Sequence, residues 1–276
     1  MKERLHVSIF FRIIILLILI WSIFPLFILV RVSFTPASDI FSFPPKIFDE
    51  FTIHNYTNLF TEWGKFFVGM KNSVIVTLGA VLITIVITLP TSYAFSRYAR
   101  SKIIERSTVM LIVARMFPPI VITIPLYPVL NAMNLVDNHL VLIILYSAFY
   151  VSIGTLTLKS YFDNIPIEFE EAALIEGCSK IKAFFVILLP LCVTGIISVG
   201  ILVAIFSWKE FLFSFLFTTS YAVTAPVVLN EMLGGMFGVS WGPLFAAATI
   251  HLIPILVLII IAQKYIVDAK LLMSDK

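Results

Sequence analysis

Six long apolar runs, at 9–30, 73–95, 107–129, 140–158, 186–208 and 244–266, are separated by short polar joints. A hydrocarbon slab about 30 Å thick is crossed by roughly 20 helical residues, so each run predicts one membrane-spanning helix. The alternating ten-residue segments of a membrane β-barrel are missing. Pro25, Pro90, Pro118, Pro119, Pro125, Pro190 and Pro254 fall within or at the ends of these runs. A helical bundle absorbs the carbonyls that proline frees, so kinked helices are predicted, above all in the third run. The stretch 211–229 is also largely apolar, but it holds Thr218, Thr219, Ser220, Thr224 and Pro226. It reads as an external, scoop-like or membrane-dipping segment and not as a seventh span. The longest excursion, 32–72, predicts a short surface helix within 51–66.

Composition agrees with this pattern. Of 276 residues, 60% are hydrophobic and 13% charged, and the mean hydropathy is +1.05. That is more apolar side chain than a soluble domain can bury, and the bilayer is its natural solvent. With no internal repeat or flexible linker evident, residues 1–276 read as one helical domain. The first run lacks a small-residue cleavage site and is expected to be a retained span despite Lys2 and Arg4 before it.

The net charge of +3 reads as topology, not as affinity for nucleic acid. With six spans and a cytoplasmic N-terminus, Lys2, Arg4, Arg12, Arg97, Arg100, Lys102, Arg106, Lys159, Lys180, Lys182, Lys264, Lys270 and Lys276 lie inside. That is thirteen of the nineteen Lys and Arg, with Arg31, Lys46, Lys65, Lys71 and Lys209 outside and Arg115 within a span. The bias predicts cytoplasmic N- and C-termini.

Between the fourth and fifth runs, residues 160–185 carry the most informative pattern. Pro166 suits a first helical position, and Glu168, Glu170 and Glu171 sit near the positive end of a helix dipole. Gly177 can supply the left-handed turn that ends the helix. A helix of about eleven residues is marginal alone in water. Its Ala172-Ala173 pair permits close approach by another protein, and Glu171 offers a carboxylate to a basic group on that partner. Such an acidic helix taken by itself is more often a solvated surface helix.

The order Glu171-Ala172-Ala173, then Gly177, Phe184 and Leu189-Pro190-Leu191, resembles the EAA loop of binding-protein-dependent ABC importer permeases. The likeness covers nearly the whole chain and is strongest to the smaller permease of maltose-type sugar importers. It includes Asn72-Ser73, Tyr93-Ala94-Phe95-Ser96-Arg97, Met116-Phe117-Pro118, Ile124-Pro125-Leu126-Tyr127, Ile165-Pro166, Trp208 with Glu210, Trp241-Gly242, Ala246-Ala247 and Pro254. Glu176 stands where Asp is usual, Cys178 where Ala is, Lys209 where Asn is, and the tail after Tyr265 lacks the family's Gly-rich ending.

The resemblance implies an all-α polytopic protein of the type I importer permease fold, with six transmembrane helices and a cytoplasmic coupling loop. It implies residence in the cell membrane as half of a translocation path for a sugar or oligosaccharide. The implied partners are a second permease, two ATPase subunits that bind ATP and Mg, an extracytoplasmic solute-binding protein, and membrane lipid. No cofactor or metal is expected on this chain. Glu171, Ala172, Ala173 and Gly177 are the expected ATPase-coupling residues.

Other chemistry is sparse. The nearest string to a phosphate-binding loop, from Gly154 to Ser160, lacks the second Gly, so no Walker motif exists and the chain is not expected to be an enzyme. Cys178 and Cys192 read as free thiols. Arg115 is the one full charge deep within a run, which makes it a candidate for the translocation path and equally for an interior anchor. Trp208, Glu210 and Trp241 are candidates for the binding-protein interface, though tryptophans at a membrane boundary commonly serve only as anchors. A permease for amino acids, polyamines or phosphate shares the coupling loop and stays open. A secondary transporter is remoter, because paired broken helices in repeated halves are missing.

Overall fold

The computed structural model describes residues 2–44, 50–234 and 238–274, and these residues are helical almost throughout. Lys46 and Lys276, which enter the readings above, lie outside them. In chain order the helices are α1 Lys2–Ser33, α2 His54–Glu62, α3 Lys65–Arg97, α4 Lys102–Met116, α5 Pro119–Ala132 and α6 His139–Asp163. They continue as α7 Glu168–Ile175, α8 Lys180–Leu191, α9 Val193–Trp208, α10 Leu212–Phe217, α11 Ala225–Leu233 and α12 Trp241–Ser274.

Four helices, α1, α3, α6 and α12, are each long and apolar enough to cross a membrane. The pairs α4 with α5 and α8 with α9 qualify as single broken spans, which brings the total to six among the described residues. The α4–α5 break turns the chain by 87°, at Phe117-Pro118-Pro119 where the clustered prolines predict it. The second break, of 72°, follows a wide π-type turn over Phe184–Leu188 and falls at Cys192. Pro190 lies in the short stretch between the two, where its missing N–H and its ring disturb the i→i−4 ladder. With six and nine residues, α10 and α11 are too short to cross, so 211–229 is not a span. The predicted surface helix within 51–66 is α2.

Two compact units emerge. One comprises residues up to Phe67 together with Val228–Ile253, and the other comprises Val68–Val227 together with residues from Pro254 onward. In the first, Asn55 of α2 donates through Nδ2 to the carbonyls of Ser33 (2.9 Å) and Thr35 (2.8 Å), which ties α2 to the end of α1. Lys65 pairs with Glu231 at 2.7 Å. The apolar window of α1 buries none of its residues in the chain, as expected of a helix whose neighbours are lipid or another subunit.

In the second unit α6 is the central helix, with half of its apolar window buried. Leu142, Ile143, Tyr146, Tyr150, Leu158 and Phe162 of α6 pack with Val76 and Ala80 of α3, Val199 and Val203 of α9, and Phe213 and Phe217 of α10. Hydroxyl groups stitch the same helices together. Ser147 donates to the Ile143 carbonyl (2.6 Å) and the Ala80 carbonyl (3.3 Å), Ser92 to the Thr155 carbonyl (3.0 Å), and Tyr150 to the Phe206 carbonyl (3.2 Å). Such small-residue contacts and interhelical hydrogen bonds hold bundles together where lipid tails compete for every apolar face.

Candidate functional site

The loop between the fourth and fifth spans folds as a helix, a stop and a second helix. Glu168, Glu170 and Glu171 occupy the first turn of α7, where negative charge offsets the exposed N–H groups. At the other end Gly177 has φ +85°. The Cys178 amide bonds back to the Ala173 carbonyl (2.9 Å) and the Gly177 amide to the Leu174 carbonyl (3.1 Å), which is the Schellman arrangement. Ser179 then caps α8 by accepting from the Lys182 amide (3.3 Å). A Cβ at Gly177 would meet nothing within 4 Å, so Gly177→Ala suffers only the left-handed backbone cost of about 1 kcal/mol. We expect faster limited proteolysis within 175–180 in this variant and an unchanged melting temperature for the whole chain.

The eight residues of α7 present two contrasting faces. Glu168, Glu171, Ala172 and Ile175 recur at i, i+3, i+4 and i+7 and are all exposed, Ile175 at 87%. Ala173 on the other face is 3% exposed. Beside it, Glu170 turns inward and forms an ion pair with Arg97 at the end of α3, the two side chains being only 12% and 11% exposed. Tyr93 donates to the second Glu170 oxygen at 2.9 Å. The Arg97 guanidinium also donates to the carbonyls of Phe162 and Ile165, both at 3.1 Å, and so grips the end of α6 and the linker leading into α7. Asp163 closes the cluster, accepting from Ser96 and Lys159, each at 2.6 Å. The result is a short helix held from beneath by a charged clamp, with a carboxylate, a small residue and a bare isoleucine directed away from the bundle.

Of the four residues expected in the coupling role, Glu171 and Ala172 form the exposed face, Ala173 seats the helix and Gly177 ends it. Arg97, Tyr93 and Glu170 are the contributors that sequence reasoning missed. The available signal was the Tyr93 to Arg97 stretch closing the second span, but nothing in the chain alone tells which of the adjacent acids Glu170 and Glu171 it engages.

The remaining candidates are dispersed. Arg115 is exposed in the last turn of α4, where a cation complements the helix dipole, and it lines a cavity of about 210 Å³ with Leu145, Phe149 and Phe213. Trp208 is 3% exposed. The Glu210 carboxylate accepts from the amides of Phe213 (2.9 Å) and Ser214 (3.4 Å) and caps α10. Burial pushes this carboxyl up from its ordinary range, against the pull of those amides. Trp241, in the other unit, keeps 37% of its surface and stands edge-on to Phe41 at 5.2 Å. Cys178 and Cys192 are free thiols.

Apolar helices sufficient for up to six crossings, two of them broken, together with a clamped helix between spans, define a polytopic membrane protein with a docking element. The family model described as "Binding-protein-dependent transport system inner membrane component" matches residues 89–270, which include α6, α7 and the Arg97 clamp. The chain belongs to that family. It is 31% identical to the sulfoquinovosyl glycerol transport system permease protein SmoH of Agrobacterium fabrum over 79% of this chain and 75% of that one. It is 30% identical to the trehalose/maltose transport system permease protein MalG of Thermococcus litoralis, over 92% and 91% of the two chains. The diacetylchitobiose uptake system permease protein DasC of Streptomyces coelicolor is 29% identical, over 96% and 95%. Among solved structures, a chain of a bacterial ABC transporter that imports the acidic polysaccharide alginate superposes with a TM-score of 0.80. That superposition covers 96% of this chain and 98% of the other at 16% identity, and it bears on fold alone.

Proposed function

We propose that this chain is one of two membrane-spanning subunits of an ATP-driven importer and forms half of the path for a sugar or oligosaccharide delivered by an external binding protein. The exposed Glu168, Glu171, Ala172 and Ile175 face of α7, clamped through Glu170 to Arg97, carries this reading. A coupling element needs a docking face outside the bundle and a stiff connection into it, and α7 has both. The partner is an ATPase subunit, one of two, which binds ATP and Mg on its own chain. The protein resides in the cytoplasmic membrane with both termini in the cytoplasm, following the bias of Lys and Arg. The sugar class is supported by relatives named for sulfoquinovosyl glycerol, trehalose and maltose, and diacetylchitobiose.

In this mechanism, closure of the ATPase pair displaces α7, and the Arg97–Glu170 pair carries the displacement to the ends of α3 and α6. The bundle then rocks between inward-facing and outward-facing states. Glu171→Lys reverses the charge on the docking face without touching the clamp. Expected results are a several-fold loss of binding-protein-stimulated ATP hydrolysis and of uptake in proteoliposomes of the reconstituted complex, with the melting temperature unchanged. Unaltered stimulation and uptake would remove α7 from the coupling role. Transport by the purified chain alone, without ATP, would remove the importer reading altogether.

A further inference from the structure

At the end of α6 remote from α7, one carboxylate organises a whole loop. Asp137 lies in the turn between α5 and α6 with φ +63°, and its amide bonds to the Phe217 carbonyl at 2.8 Å. Its Oδ1 accepts from the amides of Thr219 (3.2 Å) and Ala222 (2.8 Å). Its Oδ2 accepts from the amides of Ser220 (3.1 Å) and Tyr221 (2.8 Å) and from the hydroxyls of Thr219 (3.0 Å) and Ser220 (3.1 Å). Four successive amides converging on one charge make an anion-binding nest, filled here by the chain's own side chain. Burial opposes ionisation of Asp137, but the amides of Ala222, Tyr221 and Thr219 outweigh it and hold the carboxyl well below the usual range.

The loop is gripped from its carbonyl side as well. Asn72 of α3 donates through Nδ2 to the carbonyls of Tyr221 and Val223, both at 2.9 Å, while its Oδ1 meets His139 Nε2 at 2.9 Å. Ala222 and Val223 are buried, yet Tyr221 between these anchors is 70% exposed, its ring edge-on to His139 at 5.0 Å. A fixed backbone presenting one large bare aromatic has the properties of a docking hot spot, because little ordering remains to be lost on contact.

We propose that Asp137 is a positioning residue that holds residues 219–222 as a preformed docking surface, with Tyr221 as its anchor, for the solute-binding protein. This rests on the importer reading above. The 25 residues of α6 put this loop about 37 Å along the helix from the α7 clamp, out of reach of a partner docked there. The matched family is described as binding-protein-dependent, and with α7 assigned to the ATPase the binding protein is the water-soluble partner left for this end of α6.

The test uses the assembled transporter in proteoliposomes, titrated with the purified solute-binding protein that delivers its substrate. Tyr221→Ala is expected to raise the half-stimulating concentration of binding protein about tenfold, with the maximal stimulated ATPase rate, basal ATPase and melting temperature unchanged. Asp137→Ala is expected to raise it at least as far, and the double variant no further than Asp137→Ala alone, since both act on one contact. A purely structural Asp137 would lower melting and leave the half-stimulating concentration alone, which overturns its positioning role. An unchanged value in Tyr221→Ala overturns the surface, and separation of the two membrane subunits by Tyr221→Ala assigns it to the subunit interface instead. If the wild-type complex is not stimulated by any binding protein, the importer reading itself fails.

Discussion

Arg97→Ala is expected to uncouple ATP hydrolysis from transport. The substitution leaves the Glu170 carboxylate in a mostly buried position with Tyr93 as its remaining partner, and it takes one donor each from the Phe162 and Ile165 carbonyls. Removing one member of a buried ion pair costs roughly 3 kcal/mol, much of it the uncompensated charge left behind. If that energy holds α7 in its docking position, the seated population falls about a hundredfold relative to the loose one, since 1.4 kcal/mol is a factor of about ten. Uptake should therefore drop at least about tenfold while the ATPase subunits still hydrolyse ATP, and amides in α7 should exchange with solvent faster. Arg97→Lys should fall between the two, because an ammonium keeps the charge but lacks the planar fork that reaches Glu170 and two carbonyls at once. Replacing both partners by methionine should recover melting stability without recovering uptake. Normal uptake in Arg97→Ala would show that α7 needs no clamp.

Much of this site is legible in the chain because its local determinants are strong. Span length is written in the apolar runs, the sharpest break in Pro118 and Pro119, and the end of α7 in Gly177, where a positive φ is required. What stays hidden depends on positions far apart in sequence. Glu170 and Glu171 are chemically equivalent neighbours, and only the 100° step around a helix decides which meets Arg97, 73 residues earlier. Asp137 looks like an ordinary turn residue until residues 219–222 fold over it. The bend at Cys192 has a proline nearby but none at the bend itself, and the π-type turn that precedes it arises from an extra residue accommodated in the helix, which hydropathy does not register. That 211–229 does not span is legible by exclusion, through its hydroxyl residues and Pro226, whereas its short helices are not.

Both functional ends of the second unit are joined by α6, whose C-terminal Phe162 carbonyl is held by Arg97 and whose N-terminal turn carries His139 and adjoins Asp137. A displacement at α7 reaches the far end only if α6 moves as a rigid body against α3 and α9, which requires close packing along its length. Gly154, the glycine within α6, is closed in by both neighbouring helices. A Cβ built there would stand 2.8 Å from Thr88 Cγ2 on α3, 3.3 Å from Thr84 Cγ2 and 3.3 Å from Val199 Cγ1 on α9. Neighbours on two sides leave α6 no direction in which to retreat, and Ser92, bonded to the adjacent Thr155 carbonyl, holds the register.

Gly154→Ala is therefore expected to destabilise the bundle by about 1–3 kcal/mol, the usual range for overpacking a closed contact. Gly154→Val adds two further methyl groups at the same crossing and should abolish recovery of folded chain from detergent extracts. Thr88→Ala removes the nearest methyl, so the pair Gly154→Ala with Thr88→Ala should melt closer to the wild type than Gly154→Ala alone, a coupling that a double-mutant cycle reads directly. Melting temperatures decide the matter. If Gly154→Val folds and melts as the wild type does, α3, α6 and α9 are not in close contact at this level, and α6 cannot serve as the rigid link between the α7 clamp and the Asp137 loop.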